Sequence, residues 1–140
     1  MRVKIACYCG SLRQATRAIS RKYDAALRDA QLTVTQFTLL TALSGMQRPR
    51  VNDLAAALAM DQTTLSRTLQ TMEREGLIAA AAGGDGRESR WVLTPQGARR
   101  RKRALPRWEA AQRDIEKLLG KAGARELSAA AFELATRLAG

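Results

Sequence analysis

Apolar side chains recur every three or four positions through residues 5–30. This spacing places them on one face of a helix and predicts a single long amphipathic helix. A second helix is expected to begin after Thr33, because Thr33 and Gln36 have the spacing of a capping box. Its apolar positions end at Ser44–Gly45, where the helix is expected to stop.

Two short helices are predicted next, and each has a residue suited to cap its N-terminus. Asn52 is the expected cap of the first helix and Asp61 of the second, because short polar side chains accept hydrogen bonds from the free backbone amides there. Gly76 lies where a left-handed C-terminal residue is needed. Two short helices separated by a few residues predict a helix-turn-helix.

The segment after Gly76 has the sequence LIAAAA, GGDGRES and RWVLT, which predicts two strands joined by a glycine-rich tip. Thr94 and Pro95 then occupy the positions of a helix cap and a first helical residue. The helix that they begin is expected to run to about residue 118. The stretch GKAGA predicts a turn, and a last amphipathic helix follows it.

The predicted fold is mostly α-helical with a small β-hairpin wing: a winged helix-turn-helix with long helices at both ends. The 140 residues are expected to form one domain, with the DNA-binding lobe at 33–94. The terminal segments 5–30 and 95–140 carry apolar stripes that the small lobe cannot cover. They are therefore predicted to be dimerisation helices that pair with a second copy.

The charge of the chain narrows the class of partner. It holds 24 Lys and Arg against 13 Asp and Glu, a net charge of +11, and 19 of the basic residues are Arg. This balance indicates a polyanionic partner, either nucleic acid or an anionic membrane surface. Arginine favours nucleic acid, because its guanidinium binds phosphates and guanine edges in a bidentate manner. No apolar stretch is long enough to predict a membrane span.

Catalysis is not expected from this sequence. The chain contains no His, which excludes His-based catalytic triads and most zinc sites. It also lacks a glycine-rich phosphate loop and any pairing of a nucleophile with a base. We therefore predict a protein that is not an enzyme and needs no cofactor or metal.

The second short helix carries the side chains best suited to read DNA. Its polar face lies opposite Leu65, Leu69 and Met72 and has no acidic residue before Glu73. Short hydroxyls let the backbone approach phosphates, whereas Arg and Gln read guanine and adenine edges. The predicted DNA-binding residues of this helix are Gln62, Thr63, Thr64, Ser66, Arg67 and Gln70.

The hairpin tip supplies a second candidate DNA contact. Arg87 and Arg90 follow the glycines of the expected flexible loop, and Asp85 is placed to orient Arg87. An arginine presented in this way can enter a narrow minor groove. Asp85, Arg87 and Arg90 are therefore added to the predicted DNA-binding residues.

A run of five basic residues, 99–103, lies early in the helix that follows the hairpin. Three interpretations stay open: contact with DNA phosphates, a cleft for an acidic ligand, or a solvated face. At about 100° per residue, the five side chains cannot all point in one direction.

The only cysteines are Cys7 and Cys9. Two positions apart on a helix, their side chains would point about 200° away from each other, so they are not expected to pair within the chain. Two thiols without a disulfide framework favour a reducing cytoplasm as the location.

Three stretches together resemble the multiple-antibiotic-resistance regulator (MarR) family across nearly the whole chain. They are LTVTQFTLLTAL, VNDLAAALAMDQTTLSRTLQTMEREGLI, and Asp85-Gly86-Arg87 followed by VLTPQG. The resemblance implies a homodimeric transcription regulator, a repressor of pseudo-palindromic double-stranded operators. It places the recognition helices in successive major grooves, Arg87 in the minor groove and the terminal helices at the dimer interface.

The same resemblance implies control by a ligand. A cleft between the dimer interface and the DNA-binding lobe is expected to hold a small effector, aromatic or acidic, near Trp108. Binding of that effector would release the operator. One departure from the family lies at 79–82, where Ala replaces the basic residues and proline of many relatives. Fewer phosphate contacts are expected from that segment.

Two alternatives to ligand control remain open. The spacing of Cys9 and Tyr23 resembles the family branch that senses organic hydroperoxides through an N-terminal thiol hydrogen-bonded by tyrosines. Fourteen helical residues span about 21 Å, so Tyr23 could reach only the Cys9 of a second copy. Arg13 and Val34 replace further tyrosines of that branch, and the other interpretation of Cys9 is a small packing residue. The second alternative is a nucleic-acid or nucleoid-binding protein without sequence preference.

Overall fold

The computed structural model describes residues 1–81 and 89–139 of the chain. The helices are α1 Tyr8–Leu27, α2 Val34–Gly45, α3 Val51–Leu58, α4 Gln62–Arg74, α5 Pro95–Leu119 and α6 Lys121–Ala139. A single 3-10 turn, Arg28–Ala30, lies between α1 and α2, and the strands are β1 Ile78–Ala80 and β2 Trp91–Leu93. This order confirms the predicted winged helix-turn-helix architecture. None of the helices described is long and apolar enough to cross a membrane.

Side-chain caps begin three of the helices, as predicted. The Thr33 hydroxyl accepts a hydrogen bond from the Gln36 amide, and the Gln36 side chain accepts one from the Thr33 amide, which completes the capping box. Asp61 accepts from the Thr64 amide at 3.0 Å. Thr94 accepts from the Gly97 amide at 3.0 Å. Each bond satisfies a backbone donor that the first turn leaves free.

The predicted cap of α3 is wrong. The helix begins at Val51, one residue before Asn52, so Asn52 lies within the first turn with its side chain exposed. The cause is Asp53, whose carboxylate accepts a hydrogen bond from the Arg50 amide at 2.8 Å. This bond anchors the residue before the helix from inside the first turn.

Both terminal helices differ from their predicted bounds. α1 begins at Tyr8 rather than at residue 5, and Cys7 is its extended N-terminal cap residue, so the expectation that both cysteines lie on one helix is wrong. α6 begins at Lys121, which reduces the predicted GKAGA turn to Gly120 with its positive φ of 76°. The two Ala residues of that stretch favour helix strongly enough to outweigh one internal Gly.

Strands β1 and β2 pair antiparallel, with Ile78 opposite Leu93 and Ala80 opposite Trp91. The segment before α3 extends this sheet, because the Trp91 amide donates to the Pro49 carbonyl at 3.0 Å and Arg50 pairs with Arg90. The sheet therefore ties the hairpin to the start of the helix-turn-helix.

The core is built almost entirely from aliphatic side chains contributed by α1 to α4 and β1. Phe37 stacks on Trp108 with ring centroids 5.7 Å apart, which joins α2 to the middle of α5. The largest fully buried side chains are Leu27, Leu39, Leu40, Leu54, Leu65, Leu69, Met72, Leu77 and Ile78. This core fixes α4 with its polar face directed away from the protein.

Polar contacts hold α1 against α5. The Lys22 ammonium lies 2.6 Å from the Asp114 carboxylate, and this hydrogen-bonded partner lowers the pKa of Asp114 below its usual value. At the next residue of α1, the Tyr23 hydroxyl donates to the Gln112 side-chain oxygen. Burial raises the pKa of Tyr23, and the nearby charge of Glu116 raises it further.

Leu77, which lies between α4 and β1, meets the first turn of α5 at very close range. A Cβ added to Gly97 would lie 1.9 Å from the Leu77 carbonyl oxygen. Beside this contact, the Thr94 hydroxyl donates to the Gly76 carbonyl at 2.6 Å. Gly76 itself has a φ of +75°, a conformation that L side chains rarely adopt. The end of α4 and the start of α5 are thereby fixed to one another.

We predict that Gly97→Ala lowers the free energy of unfolding by about 3 kcal/mol or more, because the new methyl overlaps backbone that cannot move without displacing β1. Gly123→Ala is the matched control, since its methyl would meet only Leu119 at an ordinary 3.7 Å. That control should be neutral or stabilising by up to about 1 kcal/mol. Urea unfolding curves measure both, and equal stability of the two variants would contradict the tight junction.

Candidate nucleic-acid interface

Helix α4 presents one buried and one exposed face. Leu65, Leu69 and Met72 are fully buried against the core. The predicted DNA-binding residues lie on the other side, with all but the half-buried Ser66 exposed: Gln62, Thr63, Thr64, Ser66, Arg67 and Gln70. The structure thus brings these six side chains together on one continuous polar face.

The six side chains differ in how free they are to bind a ligand. The Arg67 guanidinium is exposed and makes no hydrogen bond or ion pair with any residue the structure describes, so its five donors are available. The Thr64 hydroxyl instead donates a hydrogen bond to the Asp61 carboxylate at 3.3 Å. This bond commits part of the hydrogen-bonding capacity of Thr64 to the helix cap. Thr64 is therefore better placed to hold the helix start than to read a base.

A cleft of about 320 Å³ runs beside α4, between this helix, the start of α3 and the base of the hairpin. Ser66 and Gln70 line one side of it. Opposite them lie Arg50 and Asn52, which were not among the predicted DNA-binding residues. No local sequence signal identifies them, because their place beside Gln70 depends on how α3 crosses α4.

Arg90 supports the hairpin from inside. Its guanidinium donates to the Arg48 carbonyl at 3.1 Å, and its backbone pairs with Arg50. Trp91 packs beside it, with an indole N–H that is buried and has no hydrogen-bond partner in the described parts of the chain. Arg90 is thus partly committed to anchoring the wing. Asp85 and Arg87 lie outside the residues described.

The structure keeps Cys9 and Tyr23 apart within one chain. Cys9 lies in the first turn of α1, exposed and not in a disulfide. Tyr23 lies fourteen residues further along the same helix and is buried, and its hydroxyl is already bound to Gln112. A hydrogen bond from Tyr23 to a thiol of another chain would have to displace this internal bond.

A second concavity, about 400 Å³, opens between α1, α5 and α6. Ile19, Ile115 and Leu127 give it apolar walls, and Tyr23 and Arg125 add polar groups. Trp108, which was expected beside an effector cleft, packs against Phe37 beside the core and lines none of the concavities described.

The fold and this face resemble known DNA-binding proteins. A sequence model of the MarR family matches residues 30–88. The crystal structure of the M. tuberculosis transcriptional regulator MosR in complex with DNA is 32% identical, and the match covers 94% of this chain and 96% of that one with a TM-score of 0.85. No curated protein sequence matches significantly.

More distant structures share the fold alone. MepR of S. aureus, solved in complex with DNA, is 21% identical with a TM-score of 0.78 over 95% of this chain and 99% of that one. NadR, solved in complex with 4-hydroxyphenylacetate, is 24% identical with a TM-score of 0.73 over 96% of both chains.

We predict that Arg67→Ala weakens binding to a duplex selected from a random pool by about 1–3 kcal/mol and relaxes the base preference at one position. The reason is that Arg67 is the exposed arginine at the centre of the polar face of α4, with a guanidinium that binds none of the described residues. A shift assay at fixed salt measures both effects.

Arg113→Ala is the matched control for this variant. It removes the same charge from an exposed position on α5 that makes no hydrogen bond or ion pair with the rest of the described chain. It should leave the base preference unchanged. Equal losses in the two variants would mean that α4 contributes only charge, and not sequence recognition.

Proposed function

This chain belongs to the MarR family of DNA-binding transcription regulators, and we propose that it acts as a homodimeric repressor released from its operator by a small effector. Regulators of this family bind DNA and are not enzymes. The observation that carries the proposal is the exposed polar face of α4, on which Arg67 and Gln70 have the donors and acceptors that distinguish base pairs in a major groove.

Dimerisation is supported by the terminal helices, which one copy leaves uncovered. Among its described residues, α6 buries no side chain at all. Apolar side chains that are exposed at the two chain ends include Ile5, Tyr8, Leu12, Leu118, Leu119, Phe132, Leu134 and Leu138. A contiguous apolar surface of this kind is normally covered by a partner. A second copy covers the same surface on both chains at once.

A two-fold dimer would present two copies of α4 to one face of DNA. Recognition helices in successive major grooves lie about 34–36 Å apart, one helical turn of the duplex. The operator proposed is therefore pseudo-palindromic, with half-sites one turn apart. The wing residues Asp85 and Arg87 are proposed to reach the flanking minor groove, where a narrow groove attracts arginine.

The concavity between α1, α5 and α6 is the proposed effector site. Its apolar walls and small number of polar groups are typical of pockets for small organic molecules. NadR, which shares this fold, was solved with an aromatic acid. In this chain Arg125 supplies a cation for such a carboxylate, and the Tyr23–Gln112 pair supplies hydrogen bonds. An effector shifts the equilibrium only by the difference in its affinity for the two states.

Control through Cys9 is less well supported than control through this site. A sensing thiol needs groups that stabilise its thiolate, and Tyr23, the proposed partner, is buried and bound to Gln112. Cys9 itself is exposed in the single chain near an apolar surface formed by Ile5, Tyr8 and Leu12. We therefore propose that Cys9 packs at the interface between copies.

We predict a dimer of twice the 15.3 kDa chain mass at micromolar concentration. Phe132→Glu should shift it towards monomer and remove operator binding, because a charge at this exposed apolar position would have to be desolvated at the interface. Sedimentation velocity measures the mass, and a shift assay measures the operator.

The control variant is Ala122→Glu, which adds the same charge to an exposed position of the same helix, ten residues before Phe132. It should remain a dimer. A monomeric wild type at this concentration, or equal disruption by the two variants, would contradict the proposed interface.

A further inference from the structure

Three of the five residues in the basic run 99–103 share one wall of a concave surface. Arg99, Arg100 and Arg103 line a concavity of about 400 Å³ on the first half of α5 together with Gln96. These four positions have the spacing i, i+3, i+4 and i+7, which places them along one face of the helix. The opposite wall is Gln31, which follows the 3-10 turn. Arg101 is directed elsewhere and donates to the Thr41 hydroxyl.

None of the three guanidiniums is neutralised within the protein. Arg99, Arg100 and Arg103 form no hydrogen bond or ion pair with the residues that the structure describes. Arg100 is half-buried nonetheless. Arg99 and Arg103 are also an i, i+4 pair of like charge, which by itself destabilises a helix. This arrangement leaves a concentration of positive charge that only an external anion can relieve.

One turn further along α5, an arginine on the same face does have an acidic partner. Arg107 continues the same face, and there the 3-10 turn places Asp29 at 3.4 Å from its guanidinium. Two residues later the same connecting segment places Gln31, a neutral amide, opposite the three unpaired arginines. Gln31 adopts a left-handed conformation with a φ of 56°, which directs the chain back towards α2. The segment therefore supplies an acid at one turn of α5 and none at the other.

The chemistry of the lining defines the ligand. Fifteen guanidinium donors and two amides offer many donors and few acceptors, so the ligand must be rich in oxygen acceptors. Adjacent arginines bind phosphate oxygens in a bidentate manner. No aromatic side chain lines the concavity, so a flat ring would find nothing to stack on. A volume of about 400 Å³ is large for a single phosphate and accommodates a chain of them.

The concavity lies away from the end of α4 that is proposed to enter DNA. A Cβ on Gly76 would lie 2.8 Å from the Gln96 side-chain oxygen, so Gln96 packs against the residue just beyond α4. The start of α4 at Gln62 is fourteen residues earlier, about 21 Å along the helix. The arginines are thus near the C-terminal end of α4, whereas recognition helices contact bases with their N-terminal residues.

We propose that Arg99, Arg100 and Arg103, with Gln31 and Gln96, form a binding site for a small molecule that carries two or more linked phosphates. The site is separate from the polar face of α4 and from the cavity between α1, α5 and α6. It does not depend on operator recognition, because the ligand is bound by α5 and the 3-10 turn alone.

The test is calorimetric titration of the full-length protein with inorganic tripolyphosphate, without DNA, with sulfate at matched ionic strength as the reference anion. The wild type should bind one tripolyphosphate per chain and bind sulfate much more weakly. Replacing Arg99, Arg100 and Arg103 together by Gln should weaken binding by about a hundredfold or more, since each charge-assisted contact is worth about a factor of ten. Gln31→Glu, which keeps every arginine but adds an internal anion, should weaken it about tenfold.

The matched control replaces Arg13, Arg17 and Arg21 together by Gln, which removes the same charge from exposed positions on α1. It should bind tripolyphosphate within about twofold of the wild type. Equal weakening in the two triple variants, no binding by the wild type, or binding that survives loss of the three α5 arginines would each overturn the proposal.

A second arm separates a small phosphate ligand from the DNA backbone. The salt dependence of operator binding should have the same slope in the wild type and in the α5 triple variant. A slope reduced by about 2.7, the value for three lost phosphate contacts, would assign these arginines to DNA and overturn the small-molecule site.

Discussion

Contact between the first turn of α5 and Leu77, the residue before β1, fixes the geometry of the DNA-binding lobe. Gly97 lies so close to the Leu77 carbonyl that no side chain fits between them. Thr94 strengthens the same junction twice, because its hydroxyl accepts from the Gly97 amide and donates to the Gly76 carbonyl. As a result α4, the hairpin and α5 cannot be displaced independently.

This constraint links three surfaces that are otherwise separate. The polar face of α4 lies at one end of the rigid unit. The concavity between α1, α5 and α6, which Tyr23 and Gln112 line, lies further along α5. Arg99, Arg100 and Arg103 lie between them on the first half of α5, with Gln96 against the end of α4. A ligand at either proposed site on α5 would contact the element that holds α4 in place, and it would be coupled to DNA only by the difference in its affinity for the two states.

Local signals predicted the fold because the helix boundaries depend on local chemistry. Thr33, Asp61 and Thr94 each cap a helix through a bond from the amide three positions further on, and such spacing is visible in a sequence. The boundary of α3 was missed because two candidate caps compete: Asn52 can cap only from before the helix, whereas Asp53 bonds back to Arg50 from inside it. The boundary of α6 differs from the predicted one because one internal Gly does not interrupt a helix that the neighbouring alanines favour.

The DNA-binding surface likewise has one part that the sequence predicts and another that only the fold brings together. The six polar positions of α4 follow from helical spacing once Leu65, Leu69 and Met72 are known to face the core. Arg50 and Asn52 could not be assigned to the same surface, because their proximity to Gln70 depends on how α3 crosses α4. Likewise the sequence reveals the charge of the basic run 99–103 but not which residues of other elements lie beside it. Only the fold places Gln31 opposite three of its members and Thr41 beside Arg101.

The central claim is that two copies of α4 read one operator with two-fold symmetry. The most direct measurement is selection of bound duplexes from a random pool, followed by hydroxyl-radical footprinting of the enriched sequence. The account predicts an inverted repeat whose half-sites are centred about 10 base pairs apart, with protection on one face of the duplex at both half-sites. Enrichment of no sequence, or of a single half-site protected without its symmetric partner, would contradict it.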